Sequence, residues 1–307
     1  IPGLAGREND QPLLAVPAQR IDNLDRLPNP ARYFTYQHVA LSRGCPENCK
    51  FCGSPRLWER KVRFHSPEYF VDQLSLLHQQ GVSFFYVSDD TFTLQKDRVI
   101  AVCRAIIKQR LPISWAAISR VDRVDDEILS WMRRAGCIQI SYGVESGSAA
   151  IRKRLNKRMT KKQIKAAFAL TIKYGIFPRV YFIYGCPGET PETVQASIDL
   201  MREIKPLGMV SYVLDIFPGT ALYANYLKRS GLSDRVWDDR IEDILYFETD
   251  ANLTASDVKD YGRRLRAAFH KSLPDFTRHL DLIDDPDFYA GHADFYSRLA
   301  MTFSHGD

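Results

Sequence analysis

No apolar run in this 307-residue sequence approaches the roughly 18 to 20 residues that a helix needs to cross a bilayer, which excludes a helical membrane span. The opening IPGLAGREND has no basic end followed by an apolar stretch, so no secretory leader is visible. Neither sign of charge dominates: 42 Lys and Arg stand against 37 Asp and Glu, and a net +5 is too weak to argue for nucleic acid as a partner. Cysteine is scarce, six in 307 residues, which rules out the disulfide framework of a small secreted domain. Reduced thiols in the cytoplasm are the expectation. There is no low-complexity tract and no repeat beyond a strand–helix rhythm. The first residue is Ile1, and MTFSHGD ends without a cap, so a piece of a longer protein is expected.

What is present is ordinary in bulk, 45% hydrophobic and 26% charged, enough for one large domain with an appendage. Residues 1–34 contain Pro12, Pro17, Pro28 and Pro30 without a sustained period and read as an extended lead-in. From residue 35 short apolar runs alternate with amphipathic helices. The strand candidates are HVALS (38–42), FFYVS (84–88), ISWAAIS (113–119), IQISYGV (138–144), RVYFIYG (179–185) and MVSYVLDIF (209–217). Between them lie helix starts with recognisable caps: Ser66–Pro67, the Thr-x-x-Gln box at 160–163, and TPET at 190–193. This order predicts an α/β fold over 35–220, a partial (β/α)6 TIM-type barrel with parallel strands, with an open doubly wound sheet as the alternative. After FPGT (217–220) the rhythm breaks. Residues 221–307 are expected to form a helical C-terminal extension, clearest at 254–273, with no strand.

The stretch LSRGCPENCKFCGS (41–54) holds Cys45, Cys49 and Cys52 as C-x3-C-x2-C, directly after the first strand candidate. Active sites of parallel barrels lie at the C-terminal ends of strands. Three thiolates fill three corners of a four-iron cluster and leave one iron open for a substrate or cofactor. A structural zinc would want a fourth protein ligand, such as His65 or Cys186.

GCPENCKFC resembles the cluster motif of the radical S-adenosylmethionine (SAM) superfamily, C-x3-C-aromatic-C, with Phe51 as the aromatic. The resemblance implies a [4Fe-4S] cluster on Cys45, Cys49 and Cys52. It also implies SAM on the open iron, an electron donor such as flavodoxin or ferredoxin, and reductive cleavage of the sulfonium to a 5′-deoxyadenosyl radical. It assigns SAM contacts to the strand ends. Asp89 and Asp90 in SDDTF would receive the ammonium, although an Asx-type turn explains the same residues. Arg120 would meet a carboxylate, and an ion pair with Asp122 or Asp125 explains it equally. Glu145, with Ser146 beside it, matches the ribose-binding position; a helix cap near Ser148 is the other reading. Gly185 and Gly188 in YGCPGET match the adenine-contact segment, and Gly219 in FPGT borders SAM; a plain strand-to-helix turn also fits.

Cys103 and Cys137 read as small buried hydrophobes, and packing is the preferred reading for Cys186. RKRLNKRMTKKQIK (152–165) reads as a solvated basic face, and His38, His65 and His78 lack ligand-like spacing. The lead-in is similar to the connector that follows a cobalamin-binding domain in cobalamin-dependent radical SAM enzymes, which would supply methyl transfer or an assisted rearrangement from a domain outside this chain. The substrate is unknown. The opposing readings are a zinc- or iron–sulfur-binding interaction module without turnover, and a cobalamin-independent radical SAM enzyme.

Overall fold

The apolar stretches and capped helices fold as β/α units. The computed structural model describes residues 4–9, 11–14, 18–238, 244–278 and 280–304. Its central strands are β1 (His38–Val39), β2 (Phe84–Val87), β3 (Ser114–Ser119), β4 (Cys137–Glu145), β5 (Phe177–Tyr184) and β6 (Gly208–Val213). They lie side by side in chain order, and every pairing is parallel. A doubly wound sheet reverses its strand order at a switch point; this one never does, so the partial barrel is the fold. β1 and β6 are its unpaired edges.

The helices between them are α1 (Pro67–Gln79), α2 (Lys96–Lys108), α3 (Asp126–Arg134), α4 (Ala149–Arg154), α5 (Lys161–Lys173) and α6 (Pro191–Ile204). Their starts follow the caps in the sequence. Ser66 Oγ accepts from the Tyr69 N–H at 3.1 Å, and Thr160 and Gln163 satisfy one another's backbone. Strand parity then separates two surfaces. On β5, Pro178, Val180 and Phe182 are buried under the helices, while Phe177, Arg179, Tyr181 and Ile183 face the barrel interior and stay partly exposed. The core lies between sheet and helices, around Phe70, Phe85, Trp115, Tyr142, Phe168 and Phe182. Cys103 and Cys137 sit in it, as expected.

The first strand is shorter than HVALS suggests. After Val39 the backbone turns away, and Ser42–Arg43 pairs antiparallel with Arg63–Phe64. The cause is Asp89, only 1% exposed at the end of β2, whose carboxylate accepts from Leu41 N at 3.0 Å, Ser42 N at 2.7 Å and Ser42 Oγ. Burial pushes this carboxyl up to about 6, and the Ser42 and Leu41 hydrogen bonds restrain the rise.

The tail departs from expectation in one respect. Asp215–Ile216 pairs antiparallel with Ile244–Leu245, a strand beyond residue 220 that is too short to carry a sequence signal. The longer elements described in the tail are helices: α7 (Ala221–Ser230), α8 (Ala255–Phe276) and α9 (Pro286–Ser304). α8 packs on α6 and β6, and α9 on α3. The lead-in holds an antiparallel ribbon, Ala5–Glu8 with Gln11–Leu14, that the proline-rich composition hid.

Replacing Asp89 by Ala orphans the Leu41 and Ser42 N–H groups. A loss of about 2–4 kcal/mol is expected in urea unfolding. An unshifted midpoint would show that something else ends β1.

Candidate active site

The cysteine loop is braced at both ends. Gly44 has φ +113°, and a Cβ there would lie 2.2 Å from the Lys61 carbonyl oxygen, so no other residue fits the turn into the loop. Lys50 N donates to Leu155 O at 3.0 Å, and Asn156 Nδ2 to Asn48 O at 2.7 Å, which ties the loop to the turn after α4. Phe51 packs with Ile183 on a small core that contains Ile151, Leu155 and Cys186. All three thiols are free and reduced. Burial raises each of them, Cys49 to about 11, and they feel one another: Cys52 adds to the rise at Cys49, and Cys45 to that at Cys52.

Around Cys49 stand Lys157, Arg120 and Glu145, all close enough to act on its charge. Glu145 ends β4 with φ +66°, just past an irregular register step after Gly143. This strained conformation drives its carboxylate onto Lys157, Oε1 to Nζ at 2.8 Å, with both side chains under one-tenth exposed. Gly143 makes room: a Cβ there would stand 2.5 Å from Glu145 Oε1 and 3.0 Å from Lys157 Nζ. Burial works against the Lys157 charge, yet Glu145 and Cys49 together hold it above the ordinary lysine range. Arg120 is buried and bidentate to Asp122 at 2.9 and 2.8 Å, and its other amine faces Glu47, inside the cysteine loop, at 3.6 Å. Of the two ion-pair partners weighed for it, Asp122 is the one used.

The two neighbouring aspartates separate cleanly. Asp89 is saturated by the end of β1, as described. Asp90 faces the loop: its Oδ2 accepts from Ser54 Oγ at 2.7 Å, and its charge acts on Cys45 and Cys52. The Ser146 hydroxyl is buried in its own turn, accepting from Ser148 N at 3.1 Å. Gly188 lies under the Arg154 guanidinium and donates to Asp250 at 3.2 Å; Gly185 donates to Glu189 Oε2 at 2.5 Å. Gly219 is the least crowded of the three, with Arg56 Cβ 4.0 Å from its ideal Cβ position.

Two residues escaped the sequence. Lys157 sits in the basic run, where Arg152 and Lys157 turn inward while Lys161 and Lys165 stay on the surface with Glu203. The solvated-face expectation therefore fails for Arg152 and Lys157. Glu189 is buried, receives the Gly185 and Cys186 N–H groups, and pairs with no cation among the described residues; burial pushes its carboxyl up to about 7. Its one signal was an acid placed directly before the Thr190 cap.

A family model for the Radical SAM superfamily matches residues 39–201. The chain belongs to that superfamily. An uncharacterised methyltransferase of Pyrococcus horikoshii is 32% identical over 247 residues, 76% of this chain and 54% of that one. An anaerobic magnesium-protoporphyrin IX monomethyl ester cyclase of Rubrivivax gelatinosus is 30% identical over 66% of this chain and 40% of that one. The chain thus spans about half the length of the curated relatives it matches. Among solved structures, the cobalamin-dependent SAM radical enzyme OxsB, with aqua-cobalamin and SAM bound, superposes with TM-score 0.57 at 18% identity, over 98% of this chain and 47% of that one.

The superfamily's cofactors are a [4Fe-4S] cluster and SAM, and the loop suits such a group. Cys45 acts on Cys52 and Cys52 on Cys49, and burial outweighs the nearby Lys157 and Arg120 and raises the thiols, a penalty that coordination by iron would remove. Among the described residues no group of three His, Cys, Asp or Glu side chains is gathered tightly enough for a single metal ion. A cluster asks for a wider spacing, because each thiolate binds a different iron.

Removing Lys157 by substitution to Met should cost about 3–5 kcal/mol by stranding the Glu145 charge, with much of the loss recovered by adding Glu145→Leu. Urea midpoints of the single and double variants check this.

Glu189 gives a pH signature. Its native value near 7 exceeds the ordinary 4.5, so between those values the folded chain holds a proton that the unfolded chain releases. Its contribution to stability is full below pH 4.5 and falls as pH rises to 7, by on the order of 2–3 kcal/mol. Subtracting the Glu189→Gln profile from that of the wild type should isolate this slope; parallel profiles would remove Glu189 as its source.

Proposed function

We propose that this chain is the catalytic barrel of a radical SAM enzyme in which Cys45, Cys49 and Cys52 hold the [4Fe-4S] cluster. The observation that carries the reading is the set of three free thiols on one braced loop after β1, with the Cys45 charge acting on Cys52 and the Cys52 charge on Cys49. When bound, the cluster and SAM supply one-electron cleavage of the sulfonium to a 5′-deoxyadenosyl radical.

The chain's residues divide the remaining work. Asp90, oriented by Ser54, is the acceptor for the SAM ammonium; its neighbour Asp89 fixes the loop's root. Glu145 takes only Lys157 among the described residues, through Oε1, leaving Oε2 for ribose hydroxyls. Arg120 and Lys157 place positive charge beside Cys49, favouring its thiolate as iron binds. Phe51 wedges the loop against the barrel. Gly219, with Gly185 and Gly188 behind it, gives the adenine an edge of low backbone.

The electron donor is a flavodoxin or ferredoxin, in a reducing cytoplasm. Cobalamin would be held by a domain outside this chain, as the likeness of the lead-in to a cobalamin-domain connector suggests, and the reaction is then methyl transfer or an assisted rearrangement. No helix among the described residues is long and apolar enough to cross a membrane.

Anaerobic reconstitution with iron and sulfide tests the assignment. The wild type should turn brown, bind close to four irons per chain, and release 5′-deoxyadenosine from SAM under dithionite. Ala at Cys45, Cys49 or Cys52 should lose the chromophore. A colourless protein that retains one zinc per chain would refute the enzyme.

A further inference from the structure

The barrel interior below the proposed SAM site is not filled. Tyr86 and Ile118 lie on the inner faces of β2 and β3, interior strands of the sheet, yet are 42% and 37% exposed; Tyr212 of β6 is 56% exposed. Inner-face side chains of a closed barrel interdigitate and exclude water. Here they line an open channel. Its walls are aromatic: His38 stacks on Tyr86 at 4.8 Å between ring centroids, Phe84 meets Tyr86 edge-on at 4.7 Å, and Tyr181 meets Tyr212 at 6.1 Å.

At the N-terminal ends of the strands lies a solvent-open cavity of about 730 Å³, lined by Arg179, Gln139 and Gly208 and by Phe269 and Arg298 of the tail, and it meets the aromatic wall at Phe84. Arg179 shares the inward parity of Tyr181 and lies across its register partner Gly208, whose ideal Cβ position is 3.4 Å from Arg179 Nε. Among the described residues, no carboxylate lines the cavity. Arg298 is held by Asp294 at 3.0 and 2.9 Å, whereas the Arg179 guanidinium makes no hydrogen bond or ion pair with a described residue.

A fork-shaped cation, half-buried among apolar walls and unpaired among the described residues, is suited to an anion from outside. One uncompensated positive charge matches a carboxylate; a phosphate monoester would bring a second negative charge that nothing in the lining offsets. Arg179 is six residues below Gly185, about 20 Å along the strand. We propose that Arg179 anchors the carboxylate of the substrate. On this assignment, which rests on the radical SAM reading for the identity of its ligand as substrate, the substrate is an elongated, largely apolar acid, on the order of 15 Å long, with aromatic contacts along its body and its reacting end toward Cys45, Cys49 and Cys52.

The test uses 1-pyrenebutyrate and its neutral counterpart 1-pyrenebutanol, titrated into the protein and followed by fluorescence anisotropy. The wild type should bind the acid at least tenfold more tightly than the alcohol. Arg179→Gln should abolish that preference, Arg179→Lys should keep part of it, and Tyr212→Ala should weaken both probes alike. Equal affinities for acid and alcohol in the wild type, or a preference that survives Arg179→Gln, would overturn the site. Equal wild-type affinities decide against the site without any variant. Release of 5′-deoxyadenosine by the reconstituted wild type is scored separately. Release without acid preference refutes the anchor alone, and acid preference without release upholds the anchor while refuting the proposed function.

Discussion

One buried carboxylate decides where the sheet stops and the chemistry begins. Asp89 takes the Leu41 and Ser42 N–H groups that would otherwise extend β1 alongside β2. Because those donors are satisfied sideways, the strand ends at Val39 and the chain is released as a loop where strand tips converge. The loop's later hydrogen bonds, to Leu155 and from Asn156, only make sense once its root is fixed. A buried acid that costs desolvation is tolerated because the alternative is a pair of orphaned backbone donors.

Around that root the electrostatics is arranged for thiolates. Three thiols in a partly dry site resist ionisation, and the chain answers with Lys157 and Arg120 on the Cys49 side. Neither cation is free to wander. Arg120 is fixed by Asp122 and Glu47, and Lys157 by Glu145, so the positive field beside Cys49 is built into the fold. Preorganisation of this kind uses ion pairs that add little to stability by themselves.

Much of this was legible in the sequence, and the reasons differ by residue. The cysteine spacing and the order of strand-end motifs survive translation because they are local: each sits where a strand meets a turn. The Asp89 and Asp90 pair was also separable in principle. Asp89 continues the parity of buried Phe85 and Val87, whereas Asp90 continues that of inward-facing Phe84 and Tyr86. Lys157 was not legible, because nothing local distinguishes the one lysine in a basic run that folds back on a strand twelve residues earlier. Ile244–Leu245 was missed for a related reason: a two-residue pairing leaves no period to detect.

The turn at residues 155–157 grips two things at once: the cysteine loop through Leu155 and Asn156, and the rim through Lys157. It therefore works as a gauge block between them. A single bend of the chain thus sets the spacing between loop and rim.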